Sequence, residues 1–265
     1  MFYKILDCTL RDGGYYTDWK FDTPLVRKLV KALDNNCVDI IELGYKSPVK
    51  GGPYRKCNDG FINSVINFNV KAELAFMIDV KDFIVSNKVN KPLLLDIIKP
   101  SSTFSICRVA AKIDELPYLE EIVTILKELN YKVICNLMGT SLLNDNDFNK
   151  FAKICKKLNL EANYVADSYG ALTPHKVREI FSNHKISGIH THDNMGLAFA
   201  NCLEAIGLGA NYIDGTITGM GRGVGNVRTE QLLLNRGKVN SDLLDIVDNF
   251  NILKEKYGWG TNPLY

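Results

Sequence analysis

Two histidines separated by one residue, His190 and His192, are the most specific chemical feature of this sequence. Side chains two apart on a strand project from the same face, so both imidazoles could bind one divalent metal ion. Asp12, remote in the chain, offers a carboxylate oxygen that would complete the site. The alternative is a pair of hydrogen-bonded core histidines, and the spacing favours the metal site. His175 and His184 are expected at the surface.

Arg11 stands directly before Asp12, after the first apolar run of the chain. Its guanidinium keeps its charge and offers a rigid fork of donors, which suits a carboxylate or a developing enolate oxygen beside a metal ion. The alternative role is an ion pair with Asp12 or Glu42 that only shapes the site. Glu42 closes the second apolar run, so we expect it near the same residues.

A glycine-rich loop, Gly219-Met-Gly-Arg-Gly-Val-Gly-Asn226, follows the last apolar run. Its glycines permit close approach of the backbone to a ligand, although they could equally close a tight turn before a helix. Asn226 either caps that helix or offers its carbonyl oxygen to the metal. The sequence leaves both choices open.

Eight short β-branched runs, each followed by a crossover, are the elements that would position these residues. They lie at 3–8, 38–43, 72–78, 104–110, 132–137, 162–166, 186–190 and 212–215. This order predicts an α/β fold, a (β/α)8 TIM barrel, whose active site would lie at the carboxyl ends of the strands. Only a closed barrel makes the strand before Asp12 a near neighbour of the strand that carries His190. A doubly wound sheet is the alternative, but no phosphate-binding glycine loop follows the first strand.

Amphipathic stretches between the runs predict helices at 25–33, 118–129, 147–158, 174–181, 197–208 and 229–234. Thr23-Pro24 and Thr173-Pro174 each place a capping hydroxyl before a proline at a helix start. The run 93–98 is compatible with a strand or a short helix. We expect a catalytic barrel domain over 1–236, then a helix at 242–257 and a loose tail within 237–265.

Composition excludes several classes of protein. The chain has 265 residues, 46% of them hydrophobic and 23% charged, with a net charge of +2, so nothing indicates a basic surface for nucleic acid. No apolar run is long enough to span a membrane, and Asp7 interrupts the first run where a signal peptide would continue. Seven cysteines without C-x-x-C spacing favour reduced thiols in the cytoplasm.

Three motifs together resemble the HMG-CoA lyase-like TIM-barrel metalloenzymes, the DRE-TIM metallolyases. They are Thr9-Leu-Arg-Asp-Gly13, His190-Thr-His-Asp-Asn-Met-Gly196 and the glycine loop, in this order. Within that group the chain is most similar to the 4-hydroxy-2-oxovalerate aldolase-like proteins, through the segments 6–16 and 133–139.

The resemblance implies a role for each matching residue. Asp12, His190 and His192 correspond to metal ligands, Asn226 to a fourth ligand of some members, and Arg11 to the arginine that stabilises the enolate. Positions that line the substrate pocket are the strand-end residues Glu42, Asn136, Asp167 and Ser168. Oxygen and nitrogen ligands favour Mn²⁺ or Mg²⁺, with Zn²⁺ or Co²⁺ as further options.

Two departures from the family pattern leave the reaction open. Tyr15 stands where the pyruvate-releasing aldolases have a catalytic histidine, and Met220 stands where HMG-CoA lyase has a cysteine. The predicted base is therefore Tyr15, with Tyr16 or a water molecule held by the metal as alternatives. Because the phenol of tyrosine ordinarily stays protonated near neutral pH, packing against the substrate is an equal alternative for both tyrosines.

The sequence thus predicts a divalent-metal-dependent carbon–carbon lyase of the aldolase type, acting through an enolate of pyruvate or a related 2-oxo acid. The expected partners are that small molecule and an aldehyde, with no nucleic acid or membrane, and a homo-oligomer is left open. A Claisen-type condensation of an acyl-CoA with a 2-oxo acid is the alternative reaction. A third possibility is a metal-binding barrel without activity. The basic segment 46–56 is expected to be a solvated loop, with a substrate-gripping lid as the alternative.

Overall fold

Eight parallel strands close into a barrel in the computed structural model, which describes residues 3–237 and 239–261. Each strand pairs with the next along the chain, and the last pairs with the first through Lys4 and Tyr212. The TIM barrel is confirmed. The strands are β1 Lys4–Asp7, β2 Ile40–Tyr45, β3 Glu73–Asp79, β4 Ile106–Ala111, β5 Lys132–Leu137, β6 Ala162–Asp167, β7 Gly188–Thr191 and β8 Tyr212–Gly215.

Amphipathic helices cover the outside of the barrel because each turns an apolar stripe towards the strands. They are α1 Thr23–Asn35, α2 Asp59–Val65, α3 Lys91–Ile97, α4 Leu119–Glu128, α5 Asp145–Leu158, α6 Pro174–Asn183, α7 Ala198–Gly207, α8 Thr229–Arg236 and α9 Ser241–Tyr257. Thr173 caps α6 as expected, by accepting a hydrogen bond from the backbone of Lys176. Thr23 does not cap α1, because Asp22 takes the capping position and Thr23 is already helical.

The barrel interior is filled in two layers of different character. The lower layer is apolar and is built by one inward residue or two from each contributing strand: Leu6, Cys8, Ile40, Ala75, Ile106, Ile134, Ala162, Tyr164 and Tyr212. Above it lies Arg108, which is fully buried and has its guanidinium 4.8 Å from the ring centre of Tyr164. A buried charge of this kind requires charged partners, and these form part of the site described below.

Of three expectations about local structure, one is completed, one is wrong and one is confirmed. The run 93–98 is helical, since α3 spans most of it and Asn90 caps that helix. His184 is buried rather than at the surface, because it stacks on Phe148 at 5.2 Å and lies 3.1 Å from Asn149 Oδ1. His175 is exposed, as expected.

The chain after α8 is packed rather than loose as far as the structure describes it. Helix α9 contacts α1, and Trp259 is buried with its indole N–H donating to the carbonyl of Thr218 (3.1 Å). The predicted domain boundary at 236 coincides with the end of α8 and remains a prediction. Pro263, in the expected tail, lies outside the described residues. Among the helices described, none is both long and apolar enough to cross a membrane.

Candidate functional site

Residues from the carboxyl ends of all eight strands, or from the loops that follow them, line one cavity of about 590 Å³. A parallel barrel collects these ends at one rim, so residues far apart in sequence meet there. Arg11 and Asp12 follow β1, His190 is the last residue but one of β7, and His192 directly follows that strand. The other lining side chains used below are Tyr15, Tyr45, Asp79, Lys81, Asn136, Ser168 and Arg222.

Asp12, His190 and His192 form a buried cluster at this rim, as barrel closure predicts. The Nε2 atoms of both histidines lie 3.8 Å from Asp12 Oδ2, and one ligand atom from each residue lies within 4.8 Å of the others. The two rings meet edge to face, with centres 5.0 Å apart. A carboxylate oxygen and two imidazole nitrogens at these separations are a donor set for one divalent ion.

Each histidine is held from behind, which leaves its Nε2 facing Asp12. His190 Nδ1 lies 3.0 Å from Asp214 Oδ2, and His192 Nδ1 lies 2.8 Å from the carbonyl oxygen of Asp167. Such contacts fix the tautomer and the ring orientation of histidines that ligate metals. His192 Nε2 is itself buried and has no hydrogen-bond partner in the described part of the chain. A buried ring nitrogen without a partner is placed to coordinate a ligand.

Asn226 belongs to the cluster and does not cap α8, whose capping position is taken by Arg228. Its Nδ2 donates to Asp12 Oδ2 at 2.5 Å, and its Oδ1 is buried without a partner in the described residues. The glycine loop makes this approach possible. A Cβ at Gly221 would lie 2.4 Å from Asn226 Nδ2 and 2.7 Å from Asp12 Oδ2, so only glycine leaves room for the cluster.

A chain of alternating charges runs beneath the cluster through the barrel interior. Arg11 donates to Asp12 Oδ1 and to Glu42 Oε2, both at 2.8 Å. Arg108 donates to the same Glu42 oxygen at 3.1 Å and to Asp214 Oδ2 at 2.7 Å. Since Asp214 also contacts His190, this chain connects the arginine at the cavity to one histidine of the cluster. The side chain of every residue in this chain of charges is at least 94% buried.

The charges of the cluster favour metal binding over proton binding. Burial alone would raise the pKa of Asp12, but Arg11 and the two imidazoles more than offset this, so its pKa lies below the ordinary value. Burial, then the neighbouring His190, lowers the pKa of His192 to about 4. At neutral pH the site therefore presents an ionised carboxylate and an unprotonated imidazole at His192.

Comparison with known proteins agrees with this geometry. The model of the HMGL-like family matches residues 3–247. The chain belongs to the HMGL-like family. A 4-hydroxy-2-oxovalerate aldolase from Carboxydothermus hydrogenoformans is 31% identical over 92% of this chain and 75% of its own length. One from Pelotomaculum thermopropionicum is 28% identical over 95% of this chain and 76% of its own length.

Solved structures of the HMGL-like type carry the same fold. A domain from Bacteroides vulgatus, described as the N-terminal domain of a candidate aldolase, superimposes with a TM-score of 0.86 at 32% identity, covering 98% of this chain and 89% of that one. An HMG-CoA lyase from Bacillus subtilis superimposes with a TM-score of 0.74 at 15% identity, over 98% and 95% of the two chains, and shows the fold alone.

Two of the four residues expected at the substrate pocket of this HMGL-like protein line the cavity, and two do not. Asn136 is on the wall with its Oδ1 unpartnered by any described residue, and Ser168 lines the cavity while accepting from the backbone of Gly139 (2.9 Å). Glu42 lies beneath the cavity because both arginines of the buried chain hold it there. The carboxylate of Asp167 accepts from backbone amides of its own loop. Sequence position alone does not separate an inward strand-end residue from a buried one.

The tyrosines after Asp12 take different positions. Tyr15 lines the cavity, is 44% exposed, and has its hydroxyl 3.3 Å from that of Tyr45. Tyr16 lies outside the lining and donates from its hydroxyl to the carbonyl of Gly223, with its ring against Trp259. Tyr16 therefore helps to anchor the glycine loop and is not available at the cavity.

The basic segment 46–56 is only partly solvated, because Lys50 and Lys56 are exposed whereas Lys46 and Arg55 are buried. Lys46 is buried with its ammonium 2.7 Å from Asp59, and Arg55 is buried over the rings of Trp19 and Tyr45 at 4.3 and 4.6 Å. Neither side chain lines the cavity. Both instead brace the wall to which Tyr45 belongs.

Sequence reasoning missed several residues that the structure places at or beneath the site. They are Tyr45, Asp79, Arg108, Asp214 and Arg222. A charge inside an otherwise apolar strand was the available indication for Arg108 and Asp214, since buried charges are almost always paired. Asp79 and Tyr45 are the last residues of β3 and β2, and His192 directly follows β7. This shared position at a strand end was the sequence feature that could have indicated a role for Asp79 and Tyr45 at the site.

Proposed function

We propose that this chain is a divalent-metal-dependent carbon–carbon lyase of the aldolase type, acting on pyruvate or a related 2-oxo acid through its enolate. One observation supports this most directly: a buried Asp-His-His cluster with an arginine beside it opens into a single large cavity. Two relatives, 31% and 28% identical to the chain, are named 4-hydroxy-2-oxovalerate aldolases. Their name supports the same class of reaction.

Asp12, His190, His192 and Asn226 would hold the metal ion. Two atoms that face the cluster, His192 Nε2 and Asn226 Oδ1, are buried without partners among the described residues, so these residues fit a bound cation. Their oxygen and nitrogen donors suit Mn²⁺ or Mg²⁺, with Zn²⁺ or Co²⁺ as further options. When bound, such an ion supplies a Lewis acid that polarises a 2-oxo group.

Arg11 would stabilise negative charge that develops on the substrate oxygen. Its Nη1 and Nε are fixed by Asp12 and Glu42, so the guanidinium is held rigidly at the cavity wall before any substrate arrives. A preorganised donor of this kind requires little reorganisation during the reaction. Glu42 serves here by holding Arg11, instead of touching substrate.

The remaining polar groups of the wall would orient the substrate. Asn136 offers an amide oxygen that no described residue contacts through a hydrogen bond, Ser168 lies at the rim between β5 and β6, and the hydroxyl of Tyr15 faces the same space. Asp167 acts indirectly, because its carbonyl oxygen holds His192. We propose substrate contact for the first three and not for Asp167.

Metal binding is tested by elemental analysis of purified protein loaded with Mn²⁺. His190→Ala, His192→Ala and Asp12→Asn each remove a proposed ligand and should lower the metal content from about one ion per chain. His175→Ala is the matched control, because that histidine is exposed on α6. Undiminished metal in all three variants would overturn the assignment.

The reaction class is tested with two assays that do not require the correct aldehyde. In D₂O with Mn²⁺, the protein should exchange the methyl protons of pyruvate, and it should decarboxylate oxaloacetate, which yields the same enolate. Arg11→Ala should depress decarboxylation by about 10²-fold or more, and Arg11→Lys should recover only part. Metal-loaded protein inactive in both assays contradicts the proposal. Release of free thiol from acetyl-CoA with a 2-oxo acid would instead indicate the Claisen-type reaction.

A further inference from the structure

Asp79 is a carboxylate of the cavity wall that contacts neither the proposed metal ligands nor Arg11. It ends β3 and is 6% exposed, and it lines the same cavity as Arg11 and Asp12. No described residue donates a hydrogen bond to its carboxylate, and among the same residues the ammonium of Lys81, at 3.8 Å, is its one ion-pair partner. A buried acceptor at a cavity without a protein donor is placed to receive a hydrogen from a ligand.

The strand register explains why this carboxylate faces the cavity. Met77 and Asp79 are two apart on β3 and therefore share a face, and both line the cavity. Tyr45 pairs with Met77 across β2 and β3, and Ala110 pairs with Asp79 across β3 and β4. All four line the wall, so Asp79 belongs to a continuous inward-facing surface of three neighbouring strands.

The neighbouring phenols are donors rather than competing bases. The hydroxyl of Tyr45 is buried, and burial and then the nearby Asp79 raise the pKa of Tyr45 well above its ordinary value. Tyr45 therefore stays protonated, and its hydroxyl is joined to that of Tyr15 at 3.3 Å. Tyr16 donates to the glycine loop outside the cavity lining. Of the groups considered for proton transfer, Asp79 alone is a carboxyl group with acceptor capacity open to the cavity, and burial, then the nearby Asp82, raises its pKa above the ordinary value.

We propose that Asp79 is the base that accepts the proton of the substrate hydroxyl during carbon–carbon bond cleavage. This rests on the proposed aldolase function. The carboxylate takes the proton from the 4-hydroxyl of a 4-hydroxy-2-oxo acid, and the C3–C4 bond breaks. Its electron pair becomes the enolate of pyruvate, while C4 and its oxygen become the aldehyde. The enolate takes a proton from water and Asp79 returns its proton to water, so the cycle is balanced.

Comparing two reactions tests this assignment. Cleavage of 4-hydroxy-2-oxovalerate requires a base for the hydroxyl, whereas oxaloacetate reaches the enolate by losing CO₂ and has no hydroxyl proton to remove. Asp79→Asn should lower kcat for cleavage by about 10²–10⁴-fold, the usual contribution of a general base. It should leave metal content unchanged and decarboxylation within about threefold of the wild type.

Asp96→Asn is the matched control, because it removes the same charge from an exposed position on α3. The carboxylate of Asp96 lies 4.0 Å from the ammonium of Lys99 and does not line the cavity, so both reactions should be unchanged. If Asp79→Asn does not fold, Asp79→Glu keeps the charge and moves the carboxylate by one methylene. It should slow cleavage and spare decarboxylation.

The outcomes separate failure of this proposal from failure of the proposed function. Equal losses in both reactions would show that Asp79 binds a shared part of the substrate, and unchanged cleavage would show that it takes no proton; either result overturns the assignment. If metal-loaded wild-type protein catalyses neither reaction, the aldolase function itself fails.

Discussion

Replacing Arg108 with methionine should destabilise the protein strongly, because Arg108 is the fully buried centre of the charge chain beneath the site. The substitution removes the partner of Asp214 at 2.7 Å and one of two partners of Glu42 at 3.1 Å. Removing one member of a buried ion pair typically costs about 3–5 kcal/mol, since the other member stays buried with its charge.

The lower end of that range applies here. Glu42 keeps Arg11 at 2.8 Å, Asp214 keeps His190 at 3.0 Å, and the flexible methionine fills much of the vacated volume. We therefore expect a loss of about 3 kcal/mol in the free energy of unfolding, a large part of the roughly 5–15 kcal/mol of a typical domain. Urea unfolding in EDTA measures this loss without a contribution from bound metal.

Two further variants make the measurement decisive. Arg178→Met removes an exposed arginine that pairs with Glu204 at 2.7 Å, and because solvent screens that pair, the loss of stability should be much smaller than for Arg108→Met. Adding Asp214→Asn to Arg108→Met should recover part of the loss, because the carboxylate left with fewer partners is then neutral. A cost for Arg108→Met no larger than that for Arg178→Met, with no recovery in the double variant, would refute the reasoning.

Three other predictions follow from contacts at the site. Asp214→Asn should raise the dissociation constant for Mn²⁺ by about 10–100-fold, because His190 loses the carboxylate that orients it; an unchanged titration would contradict this. Tyr15→Phe should reduce kcat/KM for cleavage by about tenfold or less, the effect of one hydrogen bond, and a loss as large as that of Asp79→Asn would return the base to Tyr15. Burial raises the pKa of Glu230 from its ordinary value of 4.5 to about 7 in the folded protein. Ionisation of Glu230 therefore lowers the stability of the wild type as the pH rises between these two values. Glutamine cannot ionise, so the free energy of unfolding of Glu230→Gln minus that of the wild type should increase from pH 5.5 to 8.5. A difference that stays constant over this range would contradict the prediction.

The barrel and the metal cluster could be predicted because both depend on regular spacing. Strands β5 and β8 have the bounds that the sequence indicates, since each is a β-branched or aromatic run between turn-forming residues. The period of a strand predicts that His190 and His192 share one face. Asp12 is predicted to join them only in a closed barrel, because closure makes β1 a neighbour of β8.

The supporting residues could not be assigned in the same way, because their roles depend on side-chain direction in the barrel interior. Glu42 and Tyr45 both belong to β2, yet only Tyr45 lines the cavity. A shift in register between Glu42 and Tyr45, where β2 meets β3, breaks the simple alternation that sequence reasoning assumes. Gly44, at φ +154°, lies within this irregularity, and a Cβ there would lie 1.9 Å from the carbonyl oxygen of Tyr54.

The charges beneath the cluster bear on the order in which metal and substrate would bind. With neutral imidazoles, the two arginines of the chain are opposed by three carboxylates, those of Asp12, Glu42 and Asp214, so this chain of buried charges carries one net negative charge. That charge attracts a divalent cation and repels the carboxylate of a 2-oxo acid, and burial strengthens both effects. A bound divalent ion reverses the sign to one net positive charge. We therefore expect an anionic substrate to bind after the metal, with Arg11 already fixed at the wall by Asp12 and Glu42.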